Sequence, residues 1–407
     1  MGAPVLNGPF TMPMFRNFVP RKLQPWLYIF IAVTFQLSGG LYMANLSHMV
    51  GETSLMREDL QMCLYCNLAG MAVYFPLLFR MKFRFTNKTL LTAASLGVIV
   101  CNLIAPYTTF LPLLWTLCFI EGICKIQGTF EALSNIQLWM TPKRDFTVFF
   151  PLLHIIILGS MQVSSIIATH LGYYLHWSYM HWFIAGLMLV DLLIVQGCTR
   201  HFRIVKKFPL FGIDWLGAVL WAILLLEVAY FFDYGEFYDW WNSPVMQGLA
   251  VAIVITLGFC IGRMLHIRHP YIEPEMWSYR HLLPILILIT LVEAFLATEH
   301  VLEGVFHGSV MHYEEMARLA HAGRCSGRQP VRLLVDARTR IQLPAPHHRR
   351  YRLAGMLPAH VLFRPFGRHS HLAALLAYAV PRFRLCHPEC HVHGMSGRDY
   401  DLPPLPS

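Results

Sequence analysis

Charge is scarce in this chain. Only 14% of its 407 residues are Asp, Glu, Lys or Arg while 56% are hydrophobic, which is too apolar for an ordinary soluble domain. The first 316 residues also lack a phosphate-cradling glycine loop, a nucleophile elbow and a metal-ligand cluster. Those absences argue against an enzyme, and no metal or cofactor is expected. No small-residue cleavage site follows the first apolar stretch, so a cleavable signal peptide is not expected either. The net charge of +9 does not indicate nucleic acid, because it is divided between short loops and an anomalous C-terminal segment. Seven of the ten cysteines precede residue 300, and Cys101, Cys118, Cys124 and Cys260 fall inside apolar runs. There they read as small buried residues rather than disulfides or metal ligands.

What the chain has instead is nine apolar segments of roughly 20 residues, each long enough to cross a bilayer. They are 26–46, 59–79, 89–107, 109–130, 147–170, 177–197, 213–233, 245–263 and 282–300. The loops between them alternate in charge. Basic clusters stand before the first segment (Arg16, Arg21, Lys22), after the second (Arg80, Lys82, Arg84, Lys88) and after the fourth (Lys143, Arg144). They recur after the sixth (Arg200, Arg203, Lys206, Lys207) and the eighth (Arg263, Arg268, Arg280). The opposite loops hold only Arg57, and the one after the seventh segment is acidic, with Asp233, Glu236 and Asp239. Positive charge resists translocation, so the pattern predicts an all-α polytopic protein of the inner (cytoplasmic) membrane with a cytoplasmic N-terminus. Trp177, Trp182, Trp240 and Trp241 fall at segment ends, where an interfacial aromatic belt is expected.

Residues 317–407 differ in kind. They hold 14 Arg, nine His and ten Pro but no Lys, no Trp and one Ile, and they follow an odd number of segments, on the side where basic charge is disfavoured. Arg, His, Pro, Ala, Gly and Leu are what GC-rich DNA encodes out of frame, so a frameshifted terminus is expected; a basic interaction tail is the alternative. The run Cys386 to His393 lacks the chain reversal that a tetrahedral zinc site needs.

The basic segment Pro76–Leu77–Leu78–Phe79–Arg80–Met81–Lys82–Phe83–Arg84–Phe85–Thr86–Asn87–Lys88 resembles the loop motif of the major facilitator superfamily, with Phe79, Thr86 and Phe83 in place of its two glycines and aspartate. Asp214–Trp215–Leu216–Gly217, Tyr234–Gly235–Glu236, Asp239–Trp240–Trp241–Asn242–Ser243 and His269–Pro270–Tyr271–Ile272–Glu273–Pro274 are similar to segments of the EmrB/QacA-type 14-helix drug:proton antiporters. The resemblance covers about residues 15–316. It implies a cytoplasmic arm (1–25), a first six-helix half (26–200), an inserted helix pair (201–264) and the start of a second half (265–316), nine helices of an expected 14. It further implies an exporter of drug-like or amphipathic small molecules coupled to protons, with a periplasmic adaptor and an outer-membrane channel as partners beside the lipid bilayer. The sequence departs from the family where Cys118–Phe119–Ile120–Glu121–Gly122 replaces the Arg-x-x-Gln-Gly of the fourth helix, and no Gly-Pro-rich antiporter motif stands in 159–171. A chain that stops after nine helices is expected to be inactive. A membrane scaffold or receptor with a basic tail is the competing reading.

An ionisable side chain inside the bilayer costs about 2.5–3.5 kcal/mol and marks a cavity or a partner. Glu121 and Lys125 stand about 40° apart around one helix, with Gly128 and Ala132 on the same face. They read either as a charged pair lining a central cavity or as a self-neutralising pair between packed helices. His154 is a proton-titrating group or an interhelical hydrogen-bond partner. Asp191 and Glu227 line the pathway or satisfy a neighbouring helix. Glu293 is a cavity candidate, and Glu299 and His300 are interfacial. Arg80, Arg84 and Lys88 either brace a cytoplasmic gate or only set topology.

Overall fold

The computed structural model describes residues 15–20, 22–38, 42, 45–140, 146–201, 213–274 and a few positions between 283 and 294. Ten helices run through them: α1 Gln24–Leu37, α2 Leu46–Glu52, α3 Arg57–Tyr74, α4 Leu78–Arg84, α5 Asn87–Ile104, α6 Leu111–Met140, α7 Phe146–Tyr174, α8 Ser178–Cys198, α9 Trp215–Asp233 and α10 Pro244–His266. No strand occurs among the described residues; one isolated bridge joins Phe15 to Thr199. Among the described residues, six helical stretches are long and apolar enough to cross a membrane: Arg57–Arg84, Asn87–Tyr107, Leu111–Gln137, Ser178–Cys198, Trp215–Asp233 and Pro244–His266. The chain is therefore an all-α membrane protein that contacts lipid. Most of the expected ninth segment and all of 317–407 lie outside the described residues.

Prolines and caps set the helix limits. Pro76 interrupts the second expected segment without ending it: a 3₁₀ turn at Phe75–Leu77 passes directly into α4, so the basic stretch through Arg84 is helix rather than loop. Pro106 closes α5 in a similar turn, Ala105–Tyr107. The Thr86 hydroxyl accepts the Thr89 N–H at the start of α5, and Ser243 caps α10 ahead of Pro244. Between α9 and α10, Asp239 and Trp240 adopt positive φ of 58° and 47°. The absent side chain of Gly235 makes room there for the Trp240 ring, which a Cβ would meet at 2.6 Å. The resemblance segment 234–243 thus has a steric reason for its glycine.

Helix α6 is central and packs on α1, α3 and α5; α8 lies against α5, and α7 against α1 and α8. Two glycines bring α3 and α6 together. A Cβ on Gly70 would lie 2.2 Å from the Phe119 carbonyl oxygen, and one on Gly122 would lie 2.0 Å from that of Asn67. Between helices in lipid, such small-residue contacts supply the van der Waals attraction that hydrophobicity cannot. Gly128 receives the Phe35 ring of α1 in the same way. The pair α9–α10 docks on the outside, through α9 against α3.

The ends segregate as the loop charges predict. Arg16, Lys82, Lys88, Arg200 and Arg263 all bond groups at one end of the bundle. Glu52, Asp59, His176 and Tyr234 gather at the other. Of the tryptophans expected in an interfacial belt, Trp182, Trp240 and Trp241 are exposed, whereas Trp177 is buried with its ring edge-on to His181 at 6.1 Å.

Candidate functional site

Polar residues that share the bundle interior cluster around Asn102 of α5. Its Nδ2 donates to Glu121 Oε1 of α6 at 2.9 Å and to the Val98 carbonyl at 3.0 Å. Its Oδ1 lies 2.9 Å from His181 Nδ1 of α8. The amide orientation is locked, because flipping it would set an oxygen against two acceptors. An amide oxygen only accepts, so His181 Nδ1 must carry its hydrogen. Glu121, Asn102 and His181 are all buried, as is Lys125 one turn beyond Glu121. The Tyr42 ring lies edge-on to His181 at 5.6 Å, and Cys63 nearby donates to the Asp59 carbonyl at 3.4 Å.

Glu121 and Lys125, expected as a charged or self-neutralising pair, stand without an ion-pair contact within 4 Å. The two charges interact through space, but the ion pairs within 4 Å among the described residues are Lys82–Glu131, His176–Glu52 and Arg263–Asp214. Helix spacing puts Glu121 and Lys125 side by side, yet Asn102 draws the carboxylate across to α5 instead.

Lys82 is one of two buried cations of the basic stretch. Its ammonium lies 3.3 Å from Glu131 Oε2 of α6, bonds the Ser134 hydroxyl and sits 5.1 Å from the centre of the Phe130 ring. Lys88 is also buried and donates to the carbonyls of Gln196 at 2.9 Å and Thr199 at 3.5 Å, placing positive charge at the C-terminal end of α8. Arg80 and Arg84 are half-buried on α4. Lys82 and Lys88 cross-link helices, a role that the charge pattern of the loops does not indicate for Lys82.

Asp191 is fully buried and accepts the Ser95 hydroxyl on one oxygen, at 2.9 Å, while its other oxygen has no partner. Glu227 accepts from Thr256 at 3.3 Å and likewise keeps one oxygen unpaired. Both meet a neighbouring helix. Helix α7 contains His154, whose side chain lies outside the described residues, as does Glu293. All seven cysteines before residue 300 are free; Cys63, Cys66, Cys101, Cys118 and Cys260 are buried, and no group of metal-binding side chains occurs among the described residues.

Asp214 ties the inserted pair together. It caps α9 through the Gly217 N–H at 2.9 Å and grips Arg263 of α10, with contacts of 2.7 and 2.8 Å. Burial pushes its pKa up, but the Arg263 guanidinium and the Gly217 N–H outweigh that and hold the carboxyl below its usual range. A Cβ on Gly217 would strike this carboxylate at 2.2 Å, so the aspartate and the glycine of the 214–217 segment require each other. The Tyr271 hydroxyl then bonds the Val73 carbonyl of α3. At the far end the Tyr234 hydroxyl bonds Asp59, which also accepts the Met56 N–H at 2.9 Å.

Asn102, His181, Glu131 and Asp59 were missed from sequence. Glu131 falls one residue beyond the expected fourth segment, 109–130, but inside α6, which continues to Met140. Asn102 and His181 stand inside apolar runs, and their polarity alone was the available signal. No family model matches the chain, and no curated protein matches it.

Proposed function

We propose that residues 15–316 belong to a secondary transporter of the major facilitator type, an exporter of drug-like or amphipathic small molecules by alternating access, and that the chain with its present tail is transport-inactive. The observation that carries the proposal is the buried chain Glu121–Asn102–His181, with Lys125 beside it, inside a body of membrane-length helices. Intramembrane ionisable groups are expensive, and groups that share one interior hydrogen-bond network are what a polar pathway requires. Further support comes from the segments carrying the resemblance. Asp214 with Gly217 and Gly235 with Trp240 occupy positions with definite structural duties at the ends of α9 and α10. Nine spans, a cytoplasmic N-terminus, protons as the coupled ion and an adaptor with an outer-membrane channel complete the proposal.

Residues 317–407 are read, on composition, as translated out of frame. Two measurements test the whole. Translation of the gene in its alternative frames after codon 316 is expected to yield further apolar spans with alternating loop charge. That protein, in everted vesicles, is expected to dissipate an imposed pH gradient when an amphipathic cation is added, and the Glu121→Gln variant to lose the response. If neither frame encodes apolar spans, the tail is a real segment and the scaffold reading replaces the transporter.

A further inference from the structure

The cations at the basic end of the bundle are of two kinds. Lys82 and Arg263 are held by Glu131 and Asp214. Arg16, Lys88 and Arg200 gather where the N-terminal arm crosses the end of α8, and among the described residues no carboxylate lies within 4 Å of them. Neutral groups fix them instead. Phe15 pairs antiparallel with Thr199, and the Arg16 backbone N–H donates to the Cys198 carbonyl at 2.8 Å. The Arg200 guanidinium donates to Asn17 Oδ1 at 2.5 Å, and that of Arg16 reaches the Gln196 carbonyl at 3.5 Å. The Lys88 ammonium donates to the same carbonyl at 2.9 Å. The C-terminal end of α8 carries about half a negative charge, which offsets only a fraction of three full positive ones. Cations that merely set topology need no such ordering.

Apolar side chains stand beside these cations. The arm makes two consecutive turns, closed by the Val19 N–H on the Arg16 carbonyl at 3.1 Å and the Leu23 N–H on the Pro20 carbonyl at 2.9 Å. Phe15 and Val19 are buried, Phe15 with its ring 4.8 Å from that of Tyr28 in α1, whereas Phe18, Leu23 and Trp26 are exposed. Arg16 is exposed and Arg200 half-buried, so both guanidiniums are open to a ligand, while the buried Lys88 adds its field from behind. Ordered guanidiniums suit the planar recognition of phosphate, and exposed aromatic and aliphatic groups beside them suit the boundary between headgroups and acyl chains. We infer that Arg16 and Arg200, backed by Lys88, bind the headgroup phosphate of an anionic phospholipid, with Phe18, Leu23 and Trp26 set in the adjoining lipid. A free phosphate ion would use the same cations but gain nothing from the apolar three, which selects the lipid. The site requires only a membrane-embedded body and does not rest on the transporter reading.

The test is hydrogen exchange of the full chain in vesicles of phosphatidylcholine alone or mixed with phosphatidylglycerol. It is read at residues 15–23 and 196–201, so lipid bound by the arginines of 317–407 does not enter the readout. A basic residue at an anionic surface is worth about fivefold in binding, so phosphatidylglycerol is expected to slow wild-type exchange there by about tenfold or more. Arg16→Gln with Arg200→Gln should bring the ratio between the two vesicles to about one, and Arg16→Lys with Arg200→Lys should keep part of it. Phe18→Ser should reduce the slowing while leaving the cations in place. Arg268→Gln removes an exposed cation at the same end but outside the cluster, and should leave the ratio unchanged. A ratio retained in the double glutamine variant overturns the site. So does an equal loss in Arg268→Gln, which would reduce the effect to net charge. Equal slowing by inorganic phosphate in phosphatidylcholine vesicles would make the occupant the free ion and overturn the lipid. A wild-type ratio of about one overturns the site without any variant.

Discussion

The seam between α3 and α6 and the outer pair α9–α10 are built from similar residues to opposite ends. In the stretches holding α3 and α6, 50% and 44% of the most apolar window is buried, against 17% and 11% in α9 and α10. Yet α9 and α10 are the more apolar helices. Apolarity therefore marks what faces lipid, and burial follows a different code. At the seam that code is the paired glycines 70 and 122, together with bonds such as Asn67 Nδ2 to the Cys118 carbonyl at 3.3 Å. In α10, a Cβ on Gly248, Gly258 or Gly262 would meet nothing within 4 Å. Lipid is as apolar as leucine, so close approach and hydrogen bonds, not hydrophobicity, hold membrane helices together.

The sharpest way to break this contrast is to fill the seam. Gly122→Val places methyl groups where a backbone oxygen lies 2.0 Å from the Cβ, which no rotamer can relieve, so α3 and α6 must separate. Overpacking in a yielding core costs about 1–3 kcal/mol, and against backbone the cost should exceed that. Loss of monodisperse protein in detergent-phase size exclusion is the expected result. Next in size is the ion pair at the end of the same seam. Lys82→Met leaves Glu131 buried and uncompensated, at a cost of about 3–5 kcal/mol, and Lys82→Met with Glu131→Leu should recover most of it. Thermal unfolding of the two singles and the double decides; additive losses would mean that the pair is not coupled.

Six membrane-length helices and the segregation of basic groups to one end were legible in sequence, because both follow from composition along the chain. The interior network was not. Whether Glu121 turns to Lys125 or to Asn102 depends on how far α5 stands from α6, which residue spacing on one helix does not contain. Lys82 shows the same gap: in sequence it is one of four loop cations, and only the helical continuation past Pro76 carries it beneath Glu131. The last lysine is Lys207, so lysine is already absent from 208–316 and its lack after 316 does not by itself distinguish the tail.

A smaller effect tests the pair's own clasp. Asp214 has a depressed pKa in the folded chain, so its stabilisation is full above the ordinary aspartate value of about 3.9 and is lost as pH falls through the lower folded value. Hydrogen exchange at the start of α9 should accelerate at acid pH below that value in the wild type. In Asp214→Asn the clasp is already weak at neutral pH, and the acid dependence should disappear. Persistence of the same acid step in the variant would assign it to another group.

The smallest expected effect is the most diagnostic for the contrast. Gly258→Ala and Gly262→Ala add methyl groups where nothing stands within 4 Å, and alanine is the better helix former by about 0.8–1 kcal/mol in water. If this face of α10 meets only lipid, both variants should melt within about 0.5 kcal/mol of the wild type or slightly above it. Glycines four residues apart are also the spacing at which two membrane helices approach most closely. A loss above about 1 kcal/mol in either variant would show that another helix occupies this face in the membrane. In that case α10 would be bound through an approach like that of Gly70 and Gly122, and the distinction between a packed seam and a lipid-facing pair would fail for this helix.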